Sequence, residues 1–301
     1  HQHQGNTEEA LRVARDASEL YPREFAYSRG MLALAMHRTE EAVAAFKLLE
    51  REEGGFREAY VRNWPSYFLL YADALNRLGE HEKELEVVLE GRRRFPDAAF
   101  LIAAESAARI ALGQEEEIRA VIAEERREGN TDRVRLIARE LFAHDLPELA
   151  REVLTDELDR FDTDPYYANN PSRQGMVLHY LGREEEAFAL FQEAATASPE
   201  NPWELAWVGI MAPLVGDTAL ALEIDQRLAE WPREGFPRPG TFPFVRAQIH
   251  ANLGDPEGAV RLLEEAFFQE GRGVTRVDHT MFDLLPLKGY PPFDELMRGG
   301  G

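Results

Sequence analysis

The chain has 301 residues, 44% of them apolar and 30% charged, a balance that supports a folded core and excludes the hydrophobic poverty of a disordered chain. Acidic residues outnumber basic ones 55 to 34, for a formal charge of −21, and every basic residue except Lys47, Lys83 and Lys288 is arginine. This disfavours nucleic acid and anionic membrane surfaces as partners, because both draw on a concentrated positive field. The absence of Cys leaves no disulfide framework, no thiolate nucleophile and no Cys-ligated zinc.

In chain order, His1-Gln2-His3-Gln4 comes first, without Met. If His1 is a processed terminus, the protein is extracellular or periplasmic, and otherwise it is cytoplasmic. A free amine followed by His at position three can wrap Cu(II) or Ni(II), but a terminal tail is the favoured reading and no metal or cofactor is expected. The first predicted helix runs over 7–20, with Thr7-Glu8-Glu9 at its start and Leu11, Val13, Ala14 and Leu20 along it. Thr39-Glu40-Glu41 repeats that start signal, a capping hydroxyl before acids that suit the positive end of a helix dipole. Asp217 and Asp255 are placed as caps in the same way.

From residue 78 a turn motif recurs: Leu-Gly-Glu at 78–80, Leu-Gly-Gln at 112–114, Leu-Gly-Arg at 181–183, Val-Gly-Asp at 215–217 and Leu-Gly-Asp at 253–255. Gly79 to Gly113 is 34 residues, as is Gly182 to Gly216, while Asp145 fills the double gap from Gly113 to Gly182. His37 and Gly5 extend the series upstream, which makes eight units, the first a half unit. Five residues after the turn stand Ala10, Ala42, Ala150, Ala187, Ala221 and Ala259, with Glu84 and Ile118 as exceptions. Seven residues before it stand Gly30, Ala72, Ser106, Ala138, Gly175, Gly209 and Ala247, all small enough for two helices to cross closely. Pro22, Pro96 and Pro199 follow the turn by 17 residues, and Pro232 by one fewer, closing the second helix. Longer spacings at 37–79 and 216–254 carry Gly54-Gly55 and the stretch from Trp231-Pro232 to Pro243, which read as loops.

These residues resemble the tetratricopeptide repeat family, a helix–turn–helix unit of 34 residues with small side chains at the crossing and a closing proline. The resemblance covers about 5–271. It implies an all-α fold, a right-handed superhelical solenoid of helix-turn-helix repeats over 1–271, with 272–301 as a separate tail or cap. It also implies a concave face of first helices that binds peptides, and on that register selects Tyr27, Met31, Asp73, Asn76, Arg135, Arg139, Met176 and His179. Arg135 and Arg139 stand one helical turn apart and suit a partner carboxylate, or an ion pair with neighbouring acids. Trp203 and Trp207 share one helix face and are expected in the core, with an aromatic platform for a peptide as the alternative.

After Gly271-Arg272-Gly273 the tail is apolar, with Met281, Phe282, Leu285, Tyr290, Phe293 and Leu296 interrupted by Pro286, Pro291 and Pro292, so one continuous helix is excluded. Residues 284–297 resemble the closing segment of repeat regions attached to bacterial signalling proteins such as serine/threonine kinases and transcriptional regulators.

Signatures of chemistry are incomplete. No lysine follows a glycine, so there is no P-loop. His81-Glu82-Lys83-Glu84-Leu85 lacks the second imidazole of a zinc helix, and Asp162-Thr163-Asp164 runs into Pro165 without the rest of a calcium loop. Ser28 has Ala26 where a nucleophile elbow has glycine. Glu115–Glu117 and Glu184–Glu186 stand at helix starts, where acids are stabilised without catalysis. No window of 18 uninterrupted apolar residues exists, so membrane insertion is not expected.

The reading is a non-enzymatic protein–protein interaction scaffold that associates end to end into a homo-oligomeric, filamentous or tubular assembly through the half repeat (Leu11, Val13, Leu20) and the tail. The alternative is the docking or sensor region of a larger bacterial signalling protein.

Overall fold

The computed structural model describes residues 2–21, 24–36, 38–50, 63–129, 131–161, 170–232, 240–269 and 280–298. Among them there is no strand. The helices are α1 Gln2–Leu20, α2 Ala26–Ala35, α3 Thr39–Lys47, α4 Pro65–Arg77, α5 His81–Arg94, α6 Ala99–Ala111, α7 Glu115–Arg127 and α8 Thr131–Ala143. They continue as α9 Pro147–Phe161, α10 Pro171–Tyr180, α11 Glu184–Ala197, α12 Pro202–Met211, α13 Thr218–Ala229, α14 Thr241–Asn252, α15 Pro256–Glu264 and α16 Pro291–Arg298. A π-helical turn, Glu265–Gln269, extends α15, and a 3-10 turn, Phe282–Leu287, precedes α16.

The recurrent glycines build the turns between paired helices. Gly79, Gly113, Gly182, Gly216 and Gly254 all have φ between 67° and 86°, and Asp145, the non-glycine member, has φ 61°. This left-handed backbone is open to glycine without strain and is tolerated by Asp better than by most side chains. Each turn closes by the same two bonds. At the first, Glu80 N–H donates to Leu75 O and Gly79 N–H to Asn76 O, both at 3.0 Å, so helix-end carbonyls are satisfied. The α2–α3 turn carries the matching bond from Arg38 N–H to Ala33 O at 2.9 Å, while residue 37 lies outside the described residues.

Pairing follows: α2 packs on α3, α4 on α5, α8 on α9, α10 on α11, α12 on α13 and α14 on α15, with α2 beside α4, α4 beside α6 and α12 beside α14. The fold is thus an all-α array of helix–turn–helix units, first helices beside first helices. The two small-residue columns sit at the crossings. Ala42, Ala150, Ala187, Ala221 and Ala259 are all 0% exposed, as are the exceptions Glu84 and Ile118.

The chain forms two compact units. One contains α1 to α6 and most of α7, and the other begins at Glu124 and includes α8 to α15 with the 3-10 turn. The first has an aromatic centre of Phe46, Tyr67, Phe68 and Tyr71, joined by Leu11, Leu75 and Leu101. The second is built on Phe191, Ile210, Met211, Ile224 and Ile249. The expected boundary at 271/272 lies outside the described residues, as do Gly54-Gly55, Pro22 and the 162–165 loop.

Several expectations are corrected. Gly5 is not a turn: α1 runs through it, since one interior glycine costs a helix only about 1 kcal/mol, and Thr7 is therefore inside the helix. Ala10 is exposed and Leu11 fills the buried position. Thr39 is not a cap, because Arg38 holds that place and the buried Thr39 hydroxyl makes no hydrogen bond among the described residues. Pro243 is not in a loop. It lies in the first turn of α14, after Gly240 at φ 71°, where the missing N–H of proline is no loss. Asp217 and Asp255 do cap α13 and α15, accepting from Leu220 N–H (3.0 Å) and Gly258 N–H (2.9 Å).

Of the tryptophan pair, Trp207 stacks on Phe191 at 5.0 Å and 7°, whereas Trp203 is 46% exposed. Among the described residues the tail is two short pieces, as its prolines dictate: Pro286 falls within the 3-10 turn and Pro291 opens α16.

Candidate functional site

The first helices place the sequence-selected residues in two groups. In the first unit, Tyr27 on α2 meets Trp64 edge-on at 5.9 Å, and burial pushes its hydroxyl above the usual phenol range. Met31 is exposed. Asp73 and Asn76 on α4 are both buried and engaged within the fold: Arg77 donates to Asp73 at 3.0 Å, and Asn76 donates to Glu84 at 3.0 Å.

In the second unit the selected residues converge. Arg135 and Arg139 lie on α8, Met176 and His179 on α10, and Met176 packs against the apolar centre of the unit. Arg139 and His179 are buried, and what covers them is the chain's own tail. Arg139 donates from Nε to the Thr280 carbonyl at 3.3 Å, and its Nη2 lies 3.5 Å from Thr280 Oγ1 and 2.7 Å from Met281 Sδ. His179 Nε2 lies 2.8 Å from Asp283 Oδ1.

Between these two polar contacts Phe282 enters an aromatic slot. Its ring is 5.1 Å from Phe142, 4.9 Å from His179 at 86°, and 4.7 Å from Tyr180, spacings at which edge and tilted ring pairs attract. Leu284 and Leu287 are fully buried, and the 3-10 turn packs on α14 as well as α8. Lys288 ends the contact, donating to Ala143 O at 2.9 Å and to Asp145 at 3.1 Å, a cation at the negative end of α8. Burial raises the Tyr180 pKa, with Arg139 opposing and Asp283 adding to the rise.

Of the other residues selected for association, Phe293 and Leu296 are buried and Met281, Phe282, Leu285 and Tyr290 partly buried, whereas Val13 and Leu20 are exposed. The contributions of Phe142, Tyr180, Thr280, Asp283 and Lys288 were not singled out by the sequence. The one legible cue was an acid and an aromatic side by side in an apolar tail.

A second polar cluster joins α13, α14 and α15. His250 Nδ1 lies 2.8 Å from Asp255 Oδ2 and Nε2 lies 3.5 Å from Asp225 Oδ1, while Arg246 Nε donates to Asp225 at 2.8 Å. The Asp225 carboxylate, aided by Asp255 and opposed by burial, raises the His250 pKa. Burial of Asp225 is outweighed by His250 and Arg246, and the Gly258 N–H and His250 act on Asp255, so both carboxyls sit below their usual range.

This cluster serves stability, with a definite sign. The contribution of His250 is whole below the ordinary imidazole pKa and lost as pH rises through the raised value. That of the two carboxylates is present above their ordinary range and lost as pH falls through the lowered values. The melting temperature is therefore expected to fall as pH rises from the ordinary imidazole range through the raised His250 value, and His250→Gln to flatten that fall. Equal slopes for the two proteins would refute the assignment.

A shallow concavity of about 440 Å³ beside α11 and α13 is lined by Gln192, Leu205, Val208, Ile224 and Arg227, with Arg227 its one titratable group. Among the described residues no group of three or more His, Cys, Asp or Glu is placed to hold a metal ion, and no helix is long and apolar enough to cross a membrane.

No family model matches the chain, and no curated protein matches it. Among solved structures it is similar to a tetratricopeptide repeat protein from Parabacteroides merdae ATCC 43184, at 11% identity and a TM-score of 0.44, over 88% of this chain and 98% of that one.

Proposed function

We propose that the chain is a non-enzymatic protein-interaction scaffold of the tetratricopeptide type, binding polypeptide segments on faces formed by its first helices. The observation that carries this reading is that the face of α8, α10 and α14 already holds a polypeptide segment. It does so with an aromatic slot, an imidazole–carboxylate pair and a guanidinium bonded to a main-chain carbonyl. A preformed surface of this kind binds peptide with little ordering cost on its own side.

The test is selection of random displayed peptides on the full chain, followed by calorimetric titration of a selected synthetic peptide. Saturable binding weakened by about tenfold or more, roughly 1.4 kcal/mol, on Met31→Glu or Arg135→Glu is expected. Failure of every selected peptide to saturate would overturn the proposal.

End-to-end association into a homo-oligomer or filament is a second reading, favoured by the exposure of Val13 (53%) and Leu20 (76%) on α1. Light scattering on the same samples decides it. A mass that grows with concentration and drops on Val13→Glu/Leu20→Glu supports association, and a single-chain mass throughout disposes of it.

A further inference from the structure

We infer that segment 280–287 is an exchangeable occupant of the docking face of the second unit. The partner it stands in for presents the same chemistry: an aromatic side chain followed directly by a carboxylate and then leucine. The inference rests on reading the chain as an interaction scaffold.

The contacts divide into those any peptide could make and those that select. Arg139 bonds to the Thr280 carbonyl, which every residue offers. The slot of Phe142, His179 and Tyr180 takes an aromatic ring, and His179 takes the acid next to it.

The acid is the telling element. Asp283 is 1% exposed and His179 2%, and a buried ionisable pair returns little more than the desolvation it costs. Moreover, Asp283 Oδ2 and His179 Nδ1 have no hydrogen-bond partner among the described residues. A cover whose role was solely to shield the helices would be served better by more side chains like Leu284 and Leu287. A half-satisfied buried pair instead discriminates, because a segment without the acid leaves the imidazole with neither nitrogen partnered.

Charge points the same way. In a chain of net charge −21, this face brings two guanidinium groups, Arg135 and Arg139, to bear on Tyr180 in the slot. Lys288–Asp145 closes the far end as an exposed pair, 51% and 86% accessible, and exposed pairs of this kind hold weakly.

A tethered occupant competes at an effective concentration of roughly millimolar, so a free copy of the segment binds the intact chain poorly and a chain with a blunted tail well. The probe is a labelled synthetic peptide of sequence 280–290. The full chain carrying Phe282→Ala/Asp283→Ala is expected to bind it at least about tenfold more tightly than wild type. His179→Ala in that background, or Asp283→Asn in the peptide, is expected to reverse the gain.

A second measurement needs no variant. Hydrogen exchange of amides 280–287 in the wild-type chain is expected to accelerate as ¹³C-labelled free peptide, distinguishable by mass, is raised to saturation. Unchanged exchange, a folded double variant with no gain in affinity, or collapse of the helices in that variant would each show a fixed cover and overturn the inference. Library-selected peptides that bind elsewhere and ignore these substitutions would leave the scaffold reading standing while this inference falls.

Discussion

Gly209→Leu is expected to destabilise the second unit by about 3 kcal/mol or more, through overpacking where α12 crosses α13 and α14. A Cβ at 209 would lie 2.7 Å from Ile224 Cγ2 and 2.8 Å from Ile249 Cδ1, with Ile224 Cβ at 3.3 Å. Both isoleucines are buried to 1% or less. A β-branched side chain in a helix has essentially one χ1 rotamer to occupy, so Cβ and Cγ2 of Ile224 cannot step aside and the helices must separate. The matching position in an earlier unit behaves differently. At Gly175 the nearest atoms are those of the Phe191 ring, at 3.0 to 3.2 Å. A ring can slide by a few tenths of an ångström, and alanine recovers about 1 kcal/mol of helix propensity over glycine. Gly175→Ala is therefore expected to be near neutral, with Gly175→Leu costing about 1–3 kcal/mol. Urea melts measure all three, and an unchanged midpoint for Gly209→Leu would refute the crossing.

The helix pairs were legible because their joints depend on residues with few substitutes. A left-handed turn favours Gly79, Gly113, Gly182, Gly216 and Gly254, and even the exception, Asp145, belongs to the residue types that tolerate it. The crossings were legible because close approach excludes large side chains. The face that holds the tail was half legible. Register alone places Arg139 and His179 on first helices, but their partners Thr280 and Asp283 lie 141 and 104 residues away. Contacts at that separation leave no period in a sequence. Register also misleads where a local partner exists, as with Asp73, held by Arg77 four residues on. Gly5 shows the converse, since glycine permits a turn without imposing one.

Glu84 joins these threads. It stands in the column otherwise filled by Ala42, Ile118, Ala150, Ala187, Ala221 and Ala259, so Glu84→Ala restores the repeat's own residue and on that ground alone should stabilise. The structure leads to the opposite expectation, a loss of about 2–4 kcal/mol. The Glu84 carboxylate is fully buried and accepts from Asn76 Nδ2 at 3.0 and 3.3 Å, with His81 Nδ1 at 3.0 Å from Oε2. Alanine there leaves the buried Asn76 amide without its acceptor and opens space between α4 and α5. The pair explains both anomalies at once: a carboxylate in a column of mostly small residues, and an amide that register places on the face of the first helices but that donates into the helix pair. A double-mutant cycle of Glu84→Ala and Asn76→Ala, read by urea melts, is expected to give a coupling of about 1–3 kcal/mol. Additive effects, or a stabilising Glu84→Ala, would mean that the repeat's preference outweighs the local bond.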